Sequence, residues 1–103
     1  MVIRFDEQMY DLAKSVDYSD LGKSIRFDDA KQIIELSDDV IITKDYFGTE
    51  HERAPIWIML ACISDEVERS GLSDDQEKVL PRGRALYELY DAIYYNLPVR
   101  EEE

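Results

Sequence analysis

One stretch constrains the fold more than any other. From Pro55 to Gly71 the chain reads Pro-Ile-Trp-Ile-Met-Leu-Ala-Cys-Ile-Ser-Asp-Glu-Val-Glu-Arg-Ser-Gly. Proline is at home in the first turn of a helix, and glycine commonly ends one. The first half is apolar on every side and the second half, Ser64–Arg69, is mostly charged. Such a pattern predicts a central helix that is buried at one end and solvated at the other. The apolar run Ala54–Ile63 is too short to span a bilayer. The single cysteine, Cys62, lies inside it, which excludes an internal disulfide and marks a buried small hydrophobe.

Other helical stripes flank this one. Phe5, Met9, Leu12, Ala13 and Val16 follow i, i+4, i+7, i+8, i+11, with Asp6 placed to cap. Asp28–Ser37 offers the same device, Asp28 capping and Ala30, Ile33 and Ile34 facing inward. Both helix starts are alike, Ile3-Arg4-Phe5-Asp6-Glu7 and Ile25-Arg26-Phe27-Asp28-Asp29, and read as a reused way of beginning a helix. Ser73 and Gln76 form a capping box for a short helix that Pro81 interrupts. A last helix, about Arg82–Asn96, aligns Leu86, Leu89, Tyr90, Ile93 and Leu97, and Pro98 closes it. Val40–Phe47 is β-branched at Val40-Ile41-Ile42-Thr43 but has no evident partner strand, so it reads as an extended connection or a helix extension. The expected fold is all-α: a compact four- to five-helix bundle, one helical domain over residues 1–103 with 101–103 as an acidic tail.

Charge supplies the next constraint. Twenty-four acids against twelve bases leave a net −12, and residues 28–77 hold fourteen of those acids with four bases. Folding needs no such imbalance, which opposes compaction while aiding solubility. A concentrated acidic surface suits a basic protein partner, and the sparse Lys78, Arg82 and Arg84 argue against direct nucleic-acid binding. The exposed candidates are Asp38, Asp39, Asp45, Glu50 and Glu52 in the loop before the central helix, and Asp65, Glu66 and Glu68 on its charged half. No catalytic residues, metal ligands or cofactor site are expected. The sole histidine, His51, lacks a second histidine at ligand spacing, and no phosphate-cradling glycine loop or calcium loop occurs. With no signal peptide or spanning segment in view, the expectation is a cytoplasmic protein that is not an enzyme.

Tyrosine is the other signal. Four of the seven, Tyr87, Tyr90, Tyr94 and Tyr95, fall within the last helix. Tyrosine buries large area at small entropic cost, so Tyr94 and Tyr95 are candidate anchors, while Tyr90 shares the apolar stripe. Asp91-Ala92-Ile93-Tyr94-Tyr95 followed by Pro98 resembles the Asp-x-Ile-Tyr-Tyr-Pro segment of the immunity proteins that neutralise nuclease colicins. In size and acidity the chain is also similar, as a class, to immunity proteins of bacterial contact-dependent inhibition. The resemblance implies a four-helix protein whose Tyr-Tyr pair and nearby acids dock on a basic toxin. Three functions follow: an immunity-type inhibitor occluding a basic cognate toxin, a nuclease by preference; a helical adaptor or regulatory subunit, in one form a homodimer; and a nucleic-acid mimic that blocks a DNA-binding protein. A basic toxin-like reading frame beside the gene would single out the first.

Overall fold

The computed structural model describes residues 1–95. Along the chain lie β1 (Val2–Arg4), α1 (Glu7–Lys14), a 3₁₀ segment (Ser19–Ser24), β2 (Ile25–Asp28), β3 (Ile33–Leu36), β4 (Ile41–Lys44), β5 (Glu50–Arg53), α2 (Pro55–Ser70) and α3 (Pro81–Tyr95). The strands form two antiparallel sheets, one ordered β1-β3-β2 and one a β4–β5 hairpin. The protein is thus mixed α/β, and the all-α bundle expected from the sequence is corrected. Asn96, Leu97, Pro98 and the acidic tail lie outside the described residues.

The largest correction concerns residues 28–37. Asp28 caps no helix: its carboxylate accepts the Lys31 N–H at 3.2 Å and closes a turn. Gln32 then adopts φ 55, in the left-handed region, which a continuing helix does not tolerate. The adjacent β-branched Ile33 and Ile34 follow as a strand. Ile34 sits between Ile3 of β1 and Phe27 of β2, and Ile25 lies opposite Leu36. Ile34 and Leu36 are buried with Ile3 in the core. The near-repeat Ile-Arg-Phe-Asp therefore builds the two outer strands on either side of β3, and only its first copy leads into a helix. There Asp6 accepts the Met9 N–H at 2.8 Å.

α1 is tied down at its far end. Tyr10 donates to Asp29 at 2.6 Å, and Lys14 pairs with the same carboxylate at 2.7 Å. Lys14 first, then Tyr10, holds the Asp29 carboxyl below its usual range, while burial and then Asp29 itself push the Tyr10 phenol up to about 12.

α2 starts at Pro55 and ends against Gly71, whose N–H donates to Val67 O at 2.8 Å, as the flanking proline and glycine predict. It packs chiefly on α3, around Met59, Leu60, Ile63, Leu86, Leu89 and Ile93, all fully buried. Gly71 touches Gly83 at one end of the pair and Trp57 meets Tyr94 at the other, so the helices run antiparallel. No helix forms between them. Ser73 N–H donates to Lys78 O and Leu80 N–H to Gly71 O, each within 3 Å, with Gln76 at φ 60. That tight reversal replaces the short helix expected after Ser73, and Pro81 opens α3 instead of interrupting a helix. Among the described residues no helix is long and apolar enough to cross a membrane.

Candidate protein-binding surface

The ambiguous segment 40–47 contains strand β4, and its partner is β5, where residues Glu50-His51-Glu52-Arg53 are all exposed. One hairpin face carries Ile42, Lys44, Glu50 and Glu52; the other carries Ile41, Thr43, His51 and Arg53, with Ile41 and Thr43 half-buried. A short loop joins the strands. Gly48 N–H donates to Asp45 O and Asp45 N–H to Thr49 O, both at 3.0 Å, and Gly48 takes φ 80. This is the bulged hairpin that needs glycine in its left-handed position.

Asp45 organises the tip. Its Oδ1 accepts the Phe47 and Thr49 N–H groups at 2.9 Å each, and its Oδ2 lies 2.9 Å from His51 Nε2. The His51 contact first, then the backbone N–H groups, hold the Asp45 carboxyl below its usual range against a smaller effect of desolvation. A carboxyl of depressed pKa contributes stability that is complete above the unfolded value and is lost as pH falls through the folded one. The tip is therefore expected to stay ordered down to the ordinary aspartate range and to loosen below it. Amide shifts of Phe47 and Thr49 followed by NMR should report that acid transition, and Asp45→Ala should abolish it with the shifts already displaced at neutral pH. A transition that survives in Asp45→Ala would assign it to another group.

At this fixed tip stand Tyr46, 96% exposed, and Phe47, 87% exposed, their rings edge-to-face at 5.4 Å. Neither is among the candidates that the sequence suggests. The signal that could have found them is the Asp45–Gly48 turn spelling, with two aromatics where turns usually carry polar residues. Val40 and Ile42 extend the exposed apolar surface along the strand.

The sequence-derived acids divide. Asp38 and Asp39 occupy an exposed bend before β4, Asp38 lying 3.4 Å from the N-terminal ammonium. Glu50 and Glu52 stand on the outer hairpin face, opposite Lys44 and Ile42. Asp45 is engaged in the turn. Asp65 and Glu68 are on the exposed side of α2. Glu66, by contrast, is buried. Only 8% exposed, it accepts Ser70 Oγ at 2.5 Å and pairs with Arg82 at 3.4 Å and Arg69 at 3.6 Å. Arg82 also donates to Ser70 and to Ser15, so the cluster joins α2, α3 and the end of α1.

Tyr94 and Tyr95 are exposed at the end of α3, with Tyr90 stacked on Tyr94 at 6.4 Å and the half-buried Trp57 edge-on to Tyr94 at 6.3 Å. Ile93 beside them is buried, so the Asp91–Tyr95 motif presents its tyrosines outward. The four-helix architecture implied by the colicin-immunity resemblance is not the architecture of this chain.

Cys62 is buried, and desolvation, followed by the carboxylates of Asp20, Asp65 and Asp17, pushes its thiol up to about 11. The Tyr18 hydroxyl is buried with no hydrogen-bond partner among the described residues, and burial raises its pKa strongly. Among the described residues no three His, Cys, Asp or Glu side chains converge as a metal site. Compared with known proteins, the chain matches no family model, no curated protein and no solved structure.

Proposed function

We propose that this protein is an immunity-type inhibitor that docks its β4–β5 hairpin on the basic face of a cognate toxin in the cytoplasm and blocks it by occlusion, without catalysis of its own. The observation that carries this reading is the pair Tyr46 and Phe47, held in the open by the Asp45 turn, with Glu50 and Glu52 following on β5 and Asp38 and Asp39 at the far end of β4. Exposed aromatics suit a hot spot, and the hydrogen-bonded turn fixes the backbone that presents them, which lowers part of the ordering cost of binding. The acids around them supply long-range attraction, which speeds encounter more than it slows release. Tyr94 and Tyr95 offer a second patch, whose contact Trp57 follows closely in the chain on Arg53 at the base of the hairpin.

The test uses the basic protein encoded beside this gene as partner. Association should slow by about tenfold or more from low to high salt, with dissociation changing little. Tyr46→Ala and Phe47→Ala should each weaken binding by about 2 kcal/mol, chiefly through faster dissociation, with the melting temperature unchanged. A neighbouring protein that is bound with no dependence on salt or on either aromatic would overturn the reading. So would a neighbour that is not bound.

A further inference from the structure

Among the described residues the β4–β5 sheet has two strands, and the alternation of its ladder says where its unused backbone groups point. Asp45 and Thr49 share a backbone hydrogen bond, and the next pairs of the same kind are Thr43 with His51 and Ile41 with Arg53. The N–H and C=O groups of the intervening residues, Ile42 and Lys44, therefore face away from β5. None of them has a backbone partner among the described residues. An unpaired edge of this kind is a template for another strand.

This edge does not open onto bulk solvent alone. Between β4 and α2 lies a groove of about 390 Å³ to which all four β4 residues contribute, whereas β5 contributes only Arg53. Its apolar floor is Ile41, Ile58, Ala61 and Cys62, and its far wall carries Asp20 and Asp65. Neither carboxylate has an ion-pair partner among the described residues. Their combined field is felt by Cys62, whose thiol they help to raise. The groove's cations belong to the hairpin side: Lys44 stands on the outer face opposite Glu50, and Arg53 lies across from Ile41.

A strand edge on one wall and a helix on the other is the geometry in which an extended peptide adds to a sheet, main-chain bonds giving affinity and alternate side chains giving specificity. We infer that the β4 edge takes up an extended segment of the partner protein, pairing with Ile42 and Lys44 while alternate residues set an apolar side chain over Ala61 and Cys62 and a lysine or arginine against Asp20 and Asp65. This rests on the reading that the hairpin faces a basic partner, and it identifies what part of that partner the hairpin holds.

The probe is an acetylated octapeptide with threonine at every odd position and valine and lysine in turn at the even ones, so that valine and lysine share one face; it is titrated into the full chain and followed by NMR and amide exchange. The shifts of Ile42, Lys44, Ala61 and Cys62 should move, and exchange at the Ile42 and Lys44 amides should slow by about tenfold or more as those groups gain acceptors. The same peptide N-methylated at alternate residues, and one with glutamate for lysine, should bind about tenfold more weakly or worse. Ile42→Pro removes a donor the hairpin does not use and should abolish binding. Ala61→Trp, which fills the groove from the α2 side and leaves the β4 sequence unchanged, should do the same. Equal binding of the N-methylated peptide would reduce the effect to charge and overturn strand addition. No shift at Ile42 and Lys44 would do so too. A concentration-dependent dimer lost in Ile42→Pro would give the edge to a second copy of this chain, again against the proposal. In each case the hairpin reading would still stand or fall on Tyr46→Ala and Phe47→Ala with the whole partner.

Discussion

Gly83→Ala is expected to cost about 3 kcal/mol, or about 15 °C in melting temperature, although alanine is ordinarily the better helix residue. Gly83 lies in the first turn of α3 against Gly71, which ends α2. A methyl group there would collide with the Gly71 carbonyl oxygen and approach its Cα to 2.9 Å. In the reverse direction, a Cβ on Gly71 would come within 2.6 Å of the Gly83 Cα. Both obstacles are backbone, which has no rotamer into which to retreat, so the two helices must separate and loosen the apolar seam behind them. Gly71 has a φ of −101, open to any residue, so space and not backbone conformation demands glycine at this crossing. Thermal melts of Gly83→Ala and Gly71→Ala beside the exposed control Ser64→Ala would decide it. A glycine variant that melts at or above the parent temperature would show that the close approach is absent.

Arg82→Met should destabilise by about 2 kcal/mol, because it leaves the Glu66 carboxylate buried with its main charge partner gone. A fully buried pair would lose more. Here the Arg82 side chain is 37% exposed and Arg69 still reaches Glu66, so the cost is moderated by solvent and by a remaining cation. Replacing both partners, Glu66→Met with Arg82→Met, should recover most of the loss, because the orphaned charge is then gone. Urea unfolding of the two single variants and the double variant gives the coupling directly. A double variant no more stable than Arg82→Met would mean that the ion pair is not what fails. By the same reasoning Glu66→Lys should reduce folding and leave the intrinsic partner contact unaltered, unlike Glu50→Lys or Glu52→Lys on the open hairpin face.

Some of this architecture is legible from spacing. The Asp6 cap, the Pro55 and Gly71 limits and the Leu86-Leu89-Ile93 stripe are local signals, and each marks a helix that exists. Residues 28–37 mislead because Asp28 followed by Ile33 and Ile34 satisfies a helical cap-and-stripe pattern as well as a turn and strand. What decides between them is pairing with Ile3 and Phe27, partners distant in the chain or invisible without the sheet. β5 is illegible for a different reason. It buries no side chain, so hydrophobic alternation has nothing to record. Glu66 reads as a solvated helix residue until Arg82 arrives from α3. The exposed acids Asp38, Asp39, Glu50 and Glu52 are recognisable, but Tyr46 and Phe47 become conspicuous only once the hairpin lifts them into solvent.

The twin Ile-Arg-Phe-Asp strands also set an order of events in time. β2 and β3 are separated by a turn of a few residues and can zip together early, whereas pairing Ile3 with Ile34 must close a loop across α1 and the 3₁₀ segment. β1 is therefore expected to pair last. Its docking seats Phe5 in the core and brings Asp6, and with it the start of α1, against a finished hairpin. β1 and α1 should then join, and leave, as one kinetic unit, slower to assemble than the helix pair at the other end of the chain.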